Sequence, residues 1–258
     1  MLTEGGREDQ NIETKDGRVV LVTGGSKGIG LACARRFQAL GDRVAVTYRS
    51  SPPPDPAGSE PDRVPLLAVP CDVTDPGQVE AGFGRIEEAF GPVEILVANA
   101  GITKDMLLLR MKEEDWSEVI ETNLTAVYRT VKRAVGPMVR ARRGRIVIVS
   151  SVVGFLGSAG QVNYAAAKAG LVGLARSLAR EVGSRGITVN VVAPGMVDTD
   201  MIADLGGQRV EQLRSLVPLG RAATPDEVAG AVVFLSSDDA TYVTGAVLAV
   251  DGGLAMGL

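Results

Sequence analysis

Residues 20–30 read VLVTGGSKGIG, an apolar run that ends in a glycine-rich loop. Residues 31–40, LACARRFQAL, place apolar side chains at helical spacing, so the loop joins a strand to a helix. The first amides of a helix are unpaired and its dipole attracts negative charge, while glycines allow a phosphate to approach the backbone. The stretch therefore predicts an anion site. A tight turn without a ligand is the alternative, because the spacing Gly24-x-x-x-Gly28-x-Gly30 is neither G-x-G-x-x-G nor a P-loop.

Short apolar segments alternate with helical patterns along the whole chain. Strands that alternate with helices predict an α/β fold, and continuous apolar runs are typical of parallel strands buried on both faces. We therefore expect a single doubly wound Rossmann-type domain, a seven-stranded parallel sheet with helices on both faces. The predicted strands are 19–22, 44–48, 65–69, 94–98, 145–150, 188–193 and 246–250.

The domain is expected to span residues 18–258, after a flexible N-terminal tail at residues 1–17. The tail is polar and acidic, and it has neither the basic start nor the apolar run of a signal peptide. The Pro-rich loop at residues 50–63 cannot pair in a sheet or form a helix, and it does not separate two domains.

The composition excludes several classes of protein. Hydrophobic residues make up 45% of the chain and charged residues 22%, as in ordinary globular proteins. The net charge of −4 argues against nucleic acid as a partner. No apolar run is long enough to cross a membrane, so we expect a cytoplasmic protein.

Histidine is absent from the chain. Its absence removes Ser-His-Asp and Cys-His mechanisms and most zinc sites, and we expect no metal site. Acid and base chemistry must then use Tyr, Lys, Asp, Glu or Ser. Cys33 and Cys71 lack metal-type spacing and indicate no disulfide framework, so both are expected to be buried apolar fillers.

The end of the second strand decides which dinucleotide suits the site. An Asp or Glu at this position holds the ribose hydroxyls of NAD, but the sequence here is VTYRSS and offers Arg49. A guanidinium favours a 2′-phosphate, and Lys27 in the glycine loop adds a second positive charge. These residues predict NADP(H). A solvated surface role for Arg49 is the alternative.

Tyr164 and Lys168 are four residues apart in a strongly helical stretch, so their side chains share one face. An ammonium near a phenol favours the phenolate and lowers the pKa of the tyrosine. Ser151 follows the strand RIVIVS, where its hydroxyl can donate to a carbonyl oxygen in the crevice at the strand ends. The alternative for Tyr164 and Lys168 is that they lie on an ordinary helix surface. The alternative for Ser151 is a role in a turn or helix cap, although Ser150 is the better candidate for that role.

In this order the glycine loop, Asn99-Ala100-Gly101, Ser151, Tyr164 and Lys168 resemble the short-chain dehydrogenase/reductase family. The resemblance runs from about residue 17 to the C-terminus. Two stretches, SSVVGFLGSAGQVNYAAAKAGLVG and NVVAPGMVDTDM, look most like the 3-oxoacyl-[acyl-carrier-protein] reductases of that family, especially the actinobacterial type.

The resemblance implies a role for each catalytic residue. Tyr164 would protonate the substrate carbonyl oxygen, and Ser151 would hold that oxygen. Lys168 would lower the pKa of the tyrosine and hold the nicotinamide ribose. Asn123 would position water for a proton relay through Lys168. Without the resemblance, Asn123 is interpreted as a polar helix residue whose side chain forms hydrogen bonds with the backbone.

The resemblance also implies an NADPH site along the loops that follow the strands. Residues 194–199 would cradle the nicotinamide amide, and the pair at 72–73 would flank the adenine. The segment VDGG at 250–253 lies beside a strand that often forms a subunit interface in the family, so a homotetramer is implied. The implied cofactor-binding residues are Gly24, Ser26, Lys27, Gly28, Ile29, Gly30, Arg49, Asp72, Val73, Asn99, Ala100, Gly101, Tyr164, Lys168, Pro194, Gly195, Val197 and Thr199.

The implied reaction is NADPH-dependent reduction of 3-oxoacyl-[acyl-carrier-protein] to 3-hydroxyacyl-[acyl-carrier-protein] in fatty acid biosynthesis. Carrier proteins are acidic, so we expect a basic surface near the crevice mouth. Arg142 and Arg185 are the candidate contacts, with Arg143 and Arg145 nearby, and solvated surface charges are the alternative. An apolar lid over the substrate is expected from Met196, Met201, Ile202 and Leu205.

Three alternative hypotheses stay open. In the first, the substrate is a coenzyme A thioester such as acetoacetyl-CoA, or another small carbonyl compound. In the second, the chain is a nucleotide-sensing regulator without catalysis, and in the third, it is a structural subunit of a hetero-oligomer. Intact Ser151, Tyr164 and Lys168 count against the second and third hypotheses.

Overall fold

The structure, a computed structural model, describes residues 17–54, 66–199, 211–212 and 214–256. Within these ranges the chain forms one seven-stranded sheet in which every neighbouring pair is parallel. The strands are β1 Val19–Val22, β2 Arg43–Tyr48, β3 Leu67–Pro70, β4 Ile95–Ala98, β5 Gly144–Val149, β6 Ile187–Pro194 and β7 Val247–Val250. Their order across the sheet is β3-β2-β1-β4-β5-β6-β7.

All seven predicted strands are confirmed: β1 has the predicted bounds, and the others differ by one or two residues at an end. The apolar runs form strands because both of their faces are covered: every residue of β1 and of the eight-residue β6 is buried. The order changes direction between β1 and β4, which is the arrangement that opens a crevice at the carboxyl ends of the strands.

Helices cover both faces of the sheet, as predicted. One buried cluster packs α2, α4 and α6 against the sheet, and a second packs α1 and α7 against the other face. A π turn at Glu121–Thr125 joins α3 to α4. The helices are α1 Gly28–Ala39, α2 Pro76–Phe90, α3 Glu113–Ile120, α4 Ala126–Ala141, α5 Val153–Leu156, α6 Val162–Val182 and α7 Pro225–Leu235, with 3₁₀ turns at Leu108–Arg110, Gly183–Arg185 and Asp238–Ala240.

The turn between β1 and α1 depends on glycine. Gly24 has a φ of +63°, in the left-handed region that favours glycine. A Cβ on Gly30 would lie 2.5 Å from the carbonyl oxygen of Gly24 and 2.6 Å from the Asn99 amide nitrogen. That amide donates to the carbonyl oxygens of Thr23 at 3.0 Å and Gly24 at 3.1 Å, so it fixes the turn to the end of β4.

Several sequence expectations fall partly or wholly outside the described residues. They concern the tail at residues 1–16, residues 55–65 of the Pro-rich loop, and the proposed lid residues Met201, Ile202 and Leu205. The two cysteines are unpaired and buried, as expected of fillers. Burial raises the pKa of Cys33 to about 12 and that of Cys71 to about 11. In the described part of the chain, no helix combines the length and the apolar character needed to cross a membrane.

We expect Gly30→Ala to destabilise the protein by about 1–3 kcal/mol, because the added methyl group would overlap a backbone carbonyl that cannot move freely. The free energy of unfolding, from urea denaturation followed by circular dichroism, measures this loss. Gly84→Ala is the matched control: Gly84 lies exposed in α2 with open space around it, so alanine there should stabilise by up to about 1 kcal/mol. A Gly30→Ala variant as stable as the wild type would contradict this account of the turn.

Candidate active site

The amino end of α1 is open to a ligand. Its N-cap residue, Lys27, makes no side-chain capping bond, although two other helices are capped by side chains. Asp75 accepts from two backbone amides of α2, and Thr224 caps α7. Among the described residues, no side chain accepts from the first amides of α1, and the side chains of Gly24, Ser26 and Gly28 are small. This arrangement fits a diphosphate.

The end of β2 lies against the glycine turn. The Thr47 hydroxyl accepts from the Gly24 amide at 3.2 Å, and the Thr47 carbonyl accepts from the Gly25 amide at 3.0 Å. Arg49 follows β2 directly and is exposed, and no carboxylate follows it in the described residues up to 54. A cation is thus placed where an NAD-type site has an acid.

The loop after β3 offers the residues expected near adenine. The Asp72 carboxylate accepts from the Thr74 amide at 2.9 Å and the Thr74 hydroxyl at 2.7 Å through the same oxygen, Oδ1. The Asp72 amide donates to Gln78 at 2.9 Å. Val73 is buried beside it. Hydrogen bonds within the loop therefore hold its conformation. Both bonds from Thr74 use Asp72 Oδ1, so Thr74 does not contact Asp72 Oδ2.

The loop after β4 connects the glycine turn to the catalytic residues. A Cβ on Gly24 would lie 2.9 Å from the Cα of Ala100, so the two loops are in contact. A Cβ on Gly101 would lie 3.1 Å from the Asn123 side-chain oxygen and 3.6 Å from Lys168 Nζ. The structure therefore brings the Asn99-Ala100-Gly101 segment between the expected cofactor site and the expected catalytic site.

The segment after β6 closes the other side of the crevice. The Gly195 amide donates to the Val250 carbonyl at 3.0 Å, and Val197 forms a bridge with Ala223. The Thr199 methyl group lies 3.5 Å from the position of a Cβ on Gly28, so this segment reaches the amino end of α1. Pro194 and Met196 are buried at its start, while Ile29 of α1 is half-buried.

The two adjacent serines at the end of β5 have different roles. The Ser150 hydroxyl donates to the Lys168 carbonyl at 2.8 Å, which is the structural role expected for one serine of the pair. The Ser151 hydroxyl accepts from the Val153 amide at 3.2 Å, and the nearby Ser151 hydroxyl acts to lower the pKa of Tyr164. Ser151 and Tyr164 therefore present two hydroxyl groups at one point of the crevice.

The prediction that Lys168 lowers the pKa of Tyr164 is wrong for the chain alone. Burial raises the pKa of Tyr164 to about 12, and the Ser151 bond only partly opposes that rise. Burial lowers the pKa of Lys168 to about 8, and its Nζ donates to the Val149 carbonyl at 2.9 Å. Nζ lies 5.6 Å from the centre of the tyrosine ring, so the ammonium faces the ring and does not contact the hydroxyl.

Asn123 lies in the π turn between α3 and α4 and is fully buried. Its side-chain oxygen accepts from the Ile102 amide at 2.8 Å, and its side-chain nitrogen donates to the Ile102 carbonyl at 2.8 Å. The side chain of Asn123 therefore forms hydrogen bonds with the backbone, as the alternative interpretation of this residue expected. Each polar atom of the side chain makes one bond to the backbone of Ile102.

Sequence reasoning missed two residues that hold the site together. The Thr23 hydroxyl accepts from the amides of Asn99 at 3.0 Å and Ala100 at 3.1 Å, so it joins the ends of β1 and β4. Asn163 is fully buried, and its side-chain oxygen accepts from the Tyr164 amide at 2.8 Å. A polar residue directly before the tyrosine, at the start of the helix, was the available signal.

The expectation that Arg142 and Arg185 lie beside the crevice mouth is wrong for a single chain. Both residues precede strands, Arg142 before β5 and Arg185 before β6, and so lie at the amino edge of the sheet. The catalytic residues lie at the carboxyl edge, a strand length of about 20 Å away. Arg145 is buried in β5, where burial lowers the pKa of its guanidinium, and exposed Arg143 lies at the same amino edge.

The carboxyl edge thus combines an open helix terminus, two converging hydroxyl groups and a buried lysine. These groups can hold a carbonyl oxygen and transfer a proton to it next to a bound dinucleotide. Among the described residues, no three Asp, Glu or Cys side chains come together as a metal site would require.

Comparison with known proteins agrees with this geometry. A family model described as "Enoyl-(Acyl carrier protein) reductase" matches residues 24–255. The chain is 50% identical over 240 residues to the 3-oxoacyl-[acyl-carrier-protein] reductase MabA of Mycobacterium avium, covering 93% of this chain and 91% of that protein. It is 48% identical over 243 residues to the 3-oxoacyl-[acyl-carrier-protein] reductase FabG of Escherichia coli strain K12, covering 93% and 98%. The chain belongs to the short-chain dehydrogenase/reductase family.

Proposed function

We propose that the protein is an NADPH-dependent 3-oxoacyl-[acyl-carrier-protein] reductase of fatty acid biosynthesis. The observation that carries the proposal is the common position of three groups at the carboxyl edge of the sheet: the amino end of α1, Ser151 after β5, and Tyr164 in the first turn of α6. The two named relatives, which align over nearly their whole length, support the choice of a 3-oxoacyl substrate.

The chain's own residues account for the proton half of the reaction. The dinucleotide supplies a hydride when bound, and the substrate carbonyl carbon accepts it. Ser151 donates a hydrogen bond to the carbonyl oxygen and orients it. Tyr164 gives its proton to that oxygen, so the ketone becomes a secondary alcohol. The pKa of Tyr164 is raised to about 12, so the phenol is protonated near neutral pH and has a proton to donate, but the raised pKa also makes it a weaker acid.

Lys168 is suited to return a proton to Tyr164. Its pKa of about 8 lies near physiological pH, so it can both release and accept a proton there. Its side chain lies against Gly101 and near Asn123, at the inner side of the crevice. We propose that the main chain at Asn123 holds a water that supplies protons to Lys168, since the side chain of Asn123 is already engaged with Ile102.

NADPH is proposed as the cofactor because of the charges that flank the adenosine side. Arg49 is exposed directly after β2, and Lys27 is exposed in the glycine turn. A guanidinium binds a 2′-phosphate through charge-assisted hydrogen bonds, whereas the ribose hydroxyls of NAD call for a carboxylate.

Arg49→Ala should raise the Michaelis constant for NADPH by roughly 10- to 100-fold, because one charge-assisted hydrogen bond is about 1.5–3 kcal/mol. The Michaelis constant for NADH should change much less. Steady-state kinetics with both dinucleotides measures the difference. The matched control is Arg85→Ala, an exposed arginine of α2 away from the turn. Equal changes for NADPH and NADH would show that Arg49 does not contact the 2′-phosphate.

The substrate is proposed to arrive on an acyl carrier protein, with a coenzyme A thioester such as acetoacetyl-CoA as a smaller mimic. We propose a homotetramer as the working assembly. Apolar side chains left exposed on the single chain support association, among them Leu109 and Tyr242. The unpaired thiols of Cys33 and Cys71 are compatible with the proposed cytoplasmic location.

The proposal is tested by NADPH oxidation with acetoacetyl-CoA as the substrate. Tyr164→Phe should lower kcat by roughly 10²- to 10⁴-fold, since it removes the acid and keeps the ring. Tyr128→Phe, at a half-exposed position on α4, should leave kcat unchanged.

Crotonyl-CoA is the comparison substrate because the matching family model is described as an enoyl reductase. The proposal expects the 3-oxo compound to be reduced much faster than the enoyl compound. Preference for crotonyl-CoA, or full activity in a Tyr164→Phe variant that still binds NADPH, would contradict it.

A further inference from the structure

The segment VDGG at 250–253 begins at the end of β7 and turns at the carboxyl edge of the sheet. We call residues 251–255 the Asp251 turn, because one side chain closes it. The two carboxylate oxygens of Asp251 have separate partners: Oδ1 accepts from the Gly253 amide at 3.0 Å, and Oδ2 accepts from the Ala255 amide at 2.7 Å. The shape of the turn therefore depends on both oxygens of this carboxylate.

The Asp251 turn packs against the residue that follows Ser151. Ala255 is buried and forms one apolar cluster with Val152 and Ala193. Val152 comes directly after Ser151 in the chain, and its amide donates to the Pro194 carbonyl at 3.0 Å. The position of Ser151 therefore depends on Ala255 as well as on the segment after β6.

The same turn is in direct contact with the segment proposed to hold the nicotinamide. A Cβ on Gly195 would lie 2.7 Å from the Asp251 Cβ and 2.8 Å from the Asp251 Cα, so there is no room for a side chain between them. The Gly195 amide also donates to the carbonyl of Val250, the residue before Asp251, at 3.0 Å. Asp251 thus contacts one wall of the crevice at Gly195 and, through Ala255, supports the other wall.

The chemistry of Asp251 suits this position. A carboxylate has two acceptor oxygens and satisfies both amides at once, whereas an asparagine has one oxygen and would turn a donor nitrogen toward the second amide. Hydrogen bonds to a charged acceptor are also stronger than those to a neutral one. Among the described residues Asp251 makes no ion pair, so its carboxylate serves the amides of the turn.

We propose that Asp251 is a positioning residue for the reduction, because the turn that it closes sets the distance between Ser151 and the nicotinamide segment. The inference rests on the proposed function, in which Ser151 orients the substrate carbonyl and the dinucleotide supplies the hydride. Asp251 touches neither reactant; it acts through Gly195 and, by way of Ala255, through Val152. The VDGG motif thereby has a role within the chain's own site.

Asp251→Ala removes both carboxylate bonds. It should lower kcat for acetoacetyl-CoA at saturating NADPH by roughly 10-fold, because small displacements of reacting groups slow the transfer between them. Asp251→Asn keeps one acceptor oxygen and should lower kcat less. Asp239→Ala is the matched control: Asp239 is exposed in the 3₁₀ turn before β7, at the amino edge of the sheet, and its removal should leave kcat unchanged.

Ligand binding separates positioning from a loss of stability. The probes are NADPH and 2′,5′-ADP, which carries the adenosine and its phosphates but no nicotinamide. Asp251→Ala should raise the Kd of NADPH by roughly 2- to 10-fold, because binding must then order the loosened segment at Gly195. The Kd of 2′,5′-ADP should stay the same, since Gly195 lies on the nicotinamide side of the proposed site. Isothermal titration calorimetry measures both constants.

Unchanged kcat in both Asp251 variants, or Kd values that rise by the same factor for NADPH and 2′,5′-ADP, would overturn the inference. A lower kcat with neither Kd changed would overturn it as well, because the nicotinamide segment would then not depend on Asp251. Circular dichroism checks the fold, and Asp251→Asn decides by the same comparison if Asp251→Ala does not fold. Absence of turnover in the wild type would instead contradict the proposed function, and the two Kd values would still decide the inference.

Discussion

The close contact among Gly24, Gly30 and Asn99 is the constraint on which the site depends. It fixes the first turn of α1 to the ends of β1 and β4, and it leaves no room for a Cβ on Gly30. The helix terminus then points into the crevice where the strand order reverses. The loop after β4 continues from this contact to Gly101, which lies against Lys168. The same loop therefore lines both the cofactor end and the catalytic end of the crevice.

The fold followed from local signals in the sequence. Seven apolar runs predicted seven parallel strands, and the glycine turn predicted the position of the ligand-binding edge. Ser151 follows a predicted strand and Tyr164 and Lys168 are one helical turn apart, so all three were expected at that edge. These features were predictable because each rests on the period of a strand or helix, or on the backbone freedom of glycine.

The features that escaped prediction depend on long-range packing. The sequence does not show that burial shifts the pKa values of both Tyr164 and Lys168, since those shifts depend on how much water the two groups lose. Arg142 and Arg185 were expected near the crevice, but they precede their strands, whereas Ser151 follows one. The contact between Asp251 and Gly195 joins residues far apart in the chain and has no local signature.

The central claim is that the carboxyl edge binds NADPH with its nicotinamide facing Tyr164. A crystal structure of the protein with NADP⁺ and a 3-hydroxyacyl thioester tests this claim most directly. The account predicts the diphosphate against the first amides of α1, the 2′-phosphate beside Arg49, and the substrate oxygen within hydrogen-bonding distance of Tyr164 and Ser151. A dinucleotide bound elsewhere, or a substrate oxygen out of reach of both hydroxyl groups, would contradict it.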